Sequence, residues 1–269
     1  MRYSRQVRAA AVALVIMLGA GQAHAEKDYI PWYKGPYGKN RIVHLTVTLT
    51  LGVMYLGQAT VFQKQLISKD CRWCEAPAID RSARNNLVWD DVKRAGFLSS
   101  IDAYVLAPAI GFTLLIISDR DASMSRLIDD ILPVAETVAI SQVFVAAVKL
   151  ITARKRPYVY YNNPAYNSSN EDNLSFPSGH SSLGFAITAG AATVCHFRHY
   201  WTEPYVWATG IALSVSTEYL RMAADRHWLS DVVIGGAVGI GSGLVIPRLM
   251  RRDLKIVPVP GGAAVVGLF

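Results

Sequence analysis

Charge is scarce in this 269-residue sequence. Asp, Glu, Lys and Arg make up only 17% of it, while 52% is hydrophobic; soluble domains carry about 25% charged residues. Such a balance excludes an intrinsically disordered chain, which needs low hydrophobicity and high net charge. Cysteine is scarcer still, at three residues, which excludes a disulfide framework. Composition also excludes a collagen-like chain, and no internal repeat of roughly 20–50 residues points to a solenoid. Acid is the minority charge: 27 Lys and Arg face 20 Asp and Glu, a net +7. A basic excess suits nucleic acid, an anionic membrane or an anionic substrate, and the placement of the charges decides among them.

Three of the cations sit at the start. Arg2, Arg5 and Arg8 precede an apolar stretch, Ala9 to Ala20, and Ala23-His24-Ala25 is a small-x-small site. This is the pattern of a secretory signal, with cleavage expected after Ala25. Residues 1–25 are therefore read as a signal peptide, 26–41 as an N-terminal lead, 42–250 as a membrane domain and 251–269 as a flexible C-terminal tail. Cleavage lowers the net charge from +7 to +4, since three arginines and no acid are removed.

Beyond the leader, six segments are almost free of charge: Ile42–Phe62, Phe97–Ser118, Ile131–Val148, Leu183–Phe197, Pro204–Leu220 and Val232–Pro247. A membrane span needs about 20 residues, with a range of about 17–25, so the shorter segments must borrow from their flanks. Gly235, Gly236, Gly239, Gly241 and Gly243 in the last one favour close helix contact in a membrane. The expected fold is all-α, a six-helix transmembrane bundle with its active site at one membrane face.

Three polar islands interrupt the apolar segments. Lys149 to Arg156-Pro157 closes the third, Pro177-Ser178-Gly179-His180 opens the fourth, and Arg221 to Asp231 joins the fifth to the sixth. Counting spans puts all three on the same side. Their residue types suit a phosphate. Lys149, Arg156 and Arg221 supply cations, with the Arg forks matching phosphate oxygens. Ser178 and Gly179 stand at a helix start, where backbone N–H groups can face an anion. His227 and Asp231 are four apart, one helical turn, and a ring nitrogen bonded to Asp leaves the other free as nucleophile or base. The expected reaction is phosphoryl transfer. His227 attacks phosphorus, Asp231 orients it, His180 protonates the leaving group, and the three cations stabilise the transition state without a metal or other cofactor.

These islands resemble the three-part pattern of the type 2 phosphatidic acid phosphatase superfamily: K-x6-R-P at Lys149 and Arg156-Pro157, P-S-G-H at 177–180, and R-x5-H-x3-D at Arg221, His227 and Asp231. The resemblance implies a metal-independent α-helical phosphatase with His227 phosphorylated, Asp231 its partner and His180 the general acid. It also implies phosphate binding by Lys149, Arg156, Ser178, Gly179 and Arg221. One position departs, Leu220, where the family usually has Ser; this removes one hydroxyl donor. The family's membrane branch acts on lipid phosphates, so the expected partners are a lipid phosphate substrate and the bilayer, not nucleic acid. Phosphatidic acid, phosphatidylglycerophosphate, undecaprenyl diphosphate and lipid A phosphate are the candidate substrates. The alternative is a soluble periplasmic acid phosphatase of the same superfamily. The expected location is a bacterial inner membrane. A cleaved leader with six spans puts the motifs in the cytoplasm, whereas the resemblance suggests the outer face; the reading adopted is the periplasmic face.

Four further features are weighed. Cys71-Arg-Trp-Cys74 is expected to form a local disulfide if its loop is external and to hold free thiols if not. Glu136 is either functional or hydrogen-bonded to a neighbouring helix, and Glu218 is a candidate to orient Arg221. Tyr158, Tyr160, Tyr161 and Tyr166 are read as an interfacial aromatic belt; the alternative is a lip for lipid headgroups.

Overall fold

In the computed structural model, residues 41–60, 68, 70–251, 255–259 and 262–266 are described. The signal segment and all but the last residue of the lead lie outside them. Each apolar segment falls within one helix, the first of them as far as Thr60. The helices are α1 (Arg41–Thr60), α2 (Ala78–Leu87), α3 (Val92–Ser118), α4 (Met124–Thr152), a single turn α5 (Pro157–Tyr160), α6 (Gly179–Arg198), α7 (Glu203–Ala223) and α8 (Leu229–Arg251). The helices outrun the apolar segments because polar ends keep their backbone bonds and find partners. Ser123 caps α4, accepting from Arg126 N at 3.3 Å, and Asp130 in its second turn is held by Arg198 and Tyr200, both at 2.7 Å.

Three of these helices, α3, α4 and Leu229–Met250 of α8, are long and apolar enough to cross a membrane. The helix α6 need not meet that criterion by composition, because protein surrounds it. Every residue from Ser181 to Cys195 is buried, with α3, α4, α7 and α8 packed around it. Small residues make this possible. A Cβ on Gly239 would stand 2.4 Å from Ser182 O, and one on Gly243 2.5 Å from Ala189 Cβ, so α8 lies backbone to backbone on α6. Outward-facing apolar side chains are plentiful on α1, among them Ile42, Leu49, Val53 and Leu56.

The helix α3 is not regular. Pro108 has no N–H to offer Tyr104 O, and Asp102–Leu106 forms a π turn in which Ala107 N bonds to Asp102 O. Within the segment read as flexible, β1 (Lys255–Val259) and β2 (Gly262–Val266) pair antiparallel, with Lys255 opposite Val266 and Val259 opposite Gly262. The Val- and Ile-rich composition of these strands suits such pairing.

Candidate active site

The end of α4, the start of α6 and the α7–α8 connection converge, and a long loop closes over them. The helix α4 stops at Ala153, in the left-handed conformation at φ 40°, which turns the chain sharply before Arg156. From there the 161–178 loop is tied back to the first motif: Arg156 N donates to Asp172 O at 2.9 Å and Ser175 N to Arg154 O at 3.1 Å. The start of α6 is pinned to the third motif, since Ser178 N donates to Asp231 O at 2.9 Å. Gly235 permits that approach; a Cβ there would stand 2.4 Å from Ser178 O.

The residues singled out in the sequence lie together as follows. His227 is 1% exposed. Its Nδ1 is 3.5 Å from Asp231 Oδ2, ion-pair distance but longer than a formed hydrogen bond. Its Nε2 faces Arg156 Nη1, also at 3.5 Å. Asp231 Oδ2 accepts from Trp228 N at 2.9 Å and Ser175 Oγ at 2.5 Å. His180 and Arg221 line one cavity of about 490 Å³. Lys149, Arg156 and Gly179 line an adjoining one of about 100 Å³. A Cβ on Gly179 would sit 3.9 Å from Lys149 Nζ, so the missing side chain leaves room beside that ammonium. Ser178 is fully buried and caps α6, its Oγ accepting from Ser181 N at 3.3 Å and Ser181 Oγ at 2.9 Å.

Electrostatics follow from this crowding. Burial, then Arg156, Arg221, Lys149 and His180, push His227 well below the usual imidazole range. The ring is therefore neutral at physiological pH, the form that can attack an electrophile.

Several site residues had no motif to reveal them. Glu171 borders both cavities, its carboxylate 3.4 Å from Arg156 and 3.5 Å from Arg226. Arg156 above all, with Lys149, Arg226 and Arg221, holds it below the ordinary carboxylate range despite its partial burial. Ser99 lies beside Arg221, accepting from Nη1 at 3.4 Å, so a hydroxyl from α3 stands near the guanidinium although the residue before it is Leu220. Tyr104, on the π turn of α3, packs edge-on against His180 with ring centroids 4.7 Å apart.

Other expectations are revised or resolved. Glu218 is not placed against Arg221: its carboxylate faces α8, where a Cβ on Gly236 would be 2.6 Å from Oε1. Glu136 bonds His44 Nδ1 at 2.9 Å, joining α1 to α4. Three of the four tyrosines help to build the loop. Tyr158 OH donates to Asp172 at 2.7 Å, Tyr166 OH to Ala224 O at 2.6 Å, and the Arg84 guanidinium covers the Tyr161 ring at 4.0 Å. Cys71 and Cys74 are joined in a disulfide.

A helical bundle with a cationic pocket around a buried His–Asp pair thus frames the three motifs. The PAP2 superfamily model matches residues 130–255, a stretch that includes every one of those motif residues. It is 38% identical over 82 residues to a lipid A 1-phosphatase of Porphyromonas gingivalis, covering 29% of this chain and 18% of that protein. It is 29% identical over 91 residues to an undecaprenyl-diphosphatase of Sulfolobus acidocaldarius, covering 34% and 41%. The chain thus matches less than half the length of either relative. The crystal structure of a transmembrane PAP2-type phosphatidylglycerolphosphate phosphatase from Bacillus subtilis aligns with a TM-score of 0.47 at 14% identity, covering 76% of this chain and 94% of that one.

Proposed function

We propose that this protein is a membrane phosphatase that hydrolyses lipid phosphomonoesters or diphosphates through a phosphohistidine, its six long helices crossing the bilayer. The observation that carries this reading is the buried His227 between Asp231 and Arg156, with Nε2 on the cation side. The substrate phosphate lies among Lys149, Arg156 and Arg221. The Nε2 lone pair attacks phosphorus, forming the N–P bond as the P–O bond to the leaving group breaks. His180 gives its proton to the departing oxygen. Asp231 stabilises the ring as it becomes positive. Water then attacks the phosphohistidine, losing a proton to His180, and the N–P bond breaks to release inorganic phosphate. The three cations meet the charge that builds on the equatorial oxygens, the role electrostatic clamps play in phosphoryl transfer.

An amphiphilic substrate is favoured by the shape of the entrance. The larger cavity is bounded by Phe97 and Tyr104 of α3, which are 65% and 53% exposed, so an apolar helix face leads into a cationic pocket. The names of the matched relatives point the same way. The Cys71–Cys74 bridge favours an oxidising compartment, and with it the periplasmic face. The test is phosphate release by purified protein in EDTA. A panel of lipid phosphates should be turned over in preference to soluble phosphomonoesters. Equal or better turnover of the soluble esters would contradict the lipid reading.

A further inference from the structure

Behind the His–Asp pair, on the side away from the phosphate pocket, lies a second layer of buried charge. Arg154 is 1% exposed and lines neither cavity. Its Nη1 donates to Asp231 Oδ1 at 2.5 Å and to Ser230 Oγ at 2.7 Å. Its Nη2 donates to Asp80 Oδ2 at 2.6 Å. Asp80, wholly buried on α2, also accepts from Ser230 N at 2.8 Å and Ser230 Oγ at 2.7 Å. One guanidinium thus bridges two carboxylates, and one of them faces the nucleophile.

A clasp holds that guanidinium in its plane. The Trp73 ring covers it at 3.8 Å, a cation–π contact. Trp73 sits inside the Cys71–Cys74 loop. That loop is laid along the first motif by two backbone bonds, Arg72 N to Ala153 O and Lys155 N to Trp73 O, both 3.1 Å. A carboxylate can rotate about its last bond; fixing Oδ1 on a rigid fork leaves Oδ2 aimed at the imidazole.

We infer that Arg154, gripped between Asp80 and Trp73, is a positioning residue that fixes Asp231 and so sets the orientation and charge state of His227. The inference rests on the reaction proposed above, but it concerns residues outside the phosphate pocket. The groups facing His227 are Asp231, Arg156, Lys149, Arg221 and His180, and Arg154 acts on it through the first.

The test is a pH–rate profile of phosphate release by the full chain in detergent, for wild type, Arg154→Met, Arg154→Lys and Asp80→Asn, with thermal unfolding of each. Arg154→Met is expected to lower kcat on the order of 10–100-fold, the range for losing an outer partner of an oriented side chain, with KM unchanged. Its acid limb should move up by about one pH unit, whether the extra proton settles on His227 or on Asp231. Arg154→Lys keeps the charge and should return the limb towards wild type. Asp80→Asn removes a negative charge and should move the limb down. A purely structural role lowers the amplitude and leaves the limb in place, so an unmoved limb in Arg154→Met overturns the inference. Should Arg154→Met not fold, Asp80→Asn decides by the same criterion. A wild type that releases no phosphate would sink the proposed reaction itself, whereas an active wild type with unmoved limbs sinks only the role of Arg154.

Discussion

At the residue scale, His227 carries the account, and its environment gives it a signed pH dependence. Its folded-state pKa lies below the ordinary imidazole value, chiefly through burial. The nucleophile therefore stays unprotonated under mild acid, and the acid limb of kcat/KM should lie well below pH ~6.5, the unperturbed value. The same shift costs stability: as pH falls through ~6.5 the unfolded chain takes up a proton that the folded chain refuses, so stability falls with acid. Thermal unfolding between neutral and mildly acidic pH measures this. His227→Ala should abolish turnover, with a loss on the order of a thousandfold or more; undiminished phosphate release would remove the residue from the mechanism. Glu171 yields a second prediction. Its carboxylate sits 3.4 Å from Arg156 at the edge of the anion pocket and competes with phosphate there. Glu171→Gln should tighten inhibition by inorganic phosphate roughly two- to fivefold, a modest effect because the Glu171 side chain is half exposed. Motif spacing was enough to single out His227, Asp231, His180 and the three cations as candidates. Glu171, Ser99, Arg154 and Asp80 were not, because their partners lie far away in sequence; Asp80 and Arg154 are 74 residues apart, and nothing in the order of residues brings them together.

At the element scale, freedom from charge located every long helix but not its ends. Ile131–Val148 became Met124–Thr152 because Asp129, Asp130 and Lys149 remain helical while facing partners or a pocket. The π turn in α3 was hidden, since it depends on how one missing N–H is accommodated next to His180. The ties of the tyrosine run were hidden for a related reason: its spacing does not show that Tyr158, Tyr166 and Tyr161 meet Asp172, Ala224 and Arg84. The contact of α8 with α6, by contrast, was foreshadowed by its glycines. Gly239→Ala should destabilise the protein by about 1–3 kcal/mol through overpacking, because the new Cβ meets Ser182 O at 2.4 Å. Gly241→Ala on the same helix meets nothing within 4 Å and should instead be stabilising by about 0.5–1 kcal/mol. Melting temperatures of the two variants in one detergent compare them directly; equal shifts would show that the glycines do not set the helix spacing.

At the scale of the whole molecule, a scarcity of charge and a basic excess turn out to describe one arrangement. Three cations, Arg2, Arg5 and Arg8, stand in the segment read as a signal, and three, Lys149, Arg156 and Arg221, stand around the pocket; without these six, the net charge of +7 becomes +1. Convergence of the three motifs was legible by counting the expected spans, because an even number of crossings, none or two, separates the helix ends that carry them. The loop that closes over them was not, since its order comes from backbone ties to Arg154 and Arg156. The central claim is that a phosphoryl group passes through His227. It is tested most directly by mixing purified protein with a radiolabelled lipid phosphate in EDTA, quenching in base, and mapping the label. The account predicts an acid-labile, base-stable label on the peptide containing His227, absent from His227→Ala. Rapid phosphate release with no label on that peptide, or turnover that stops when metal is chelated, would contradict it.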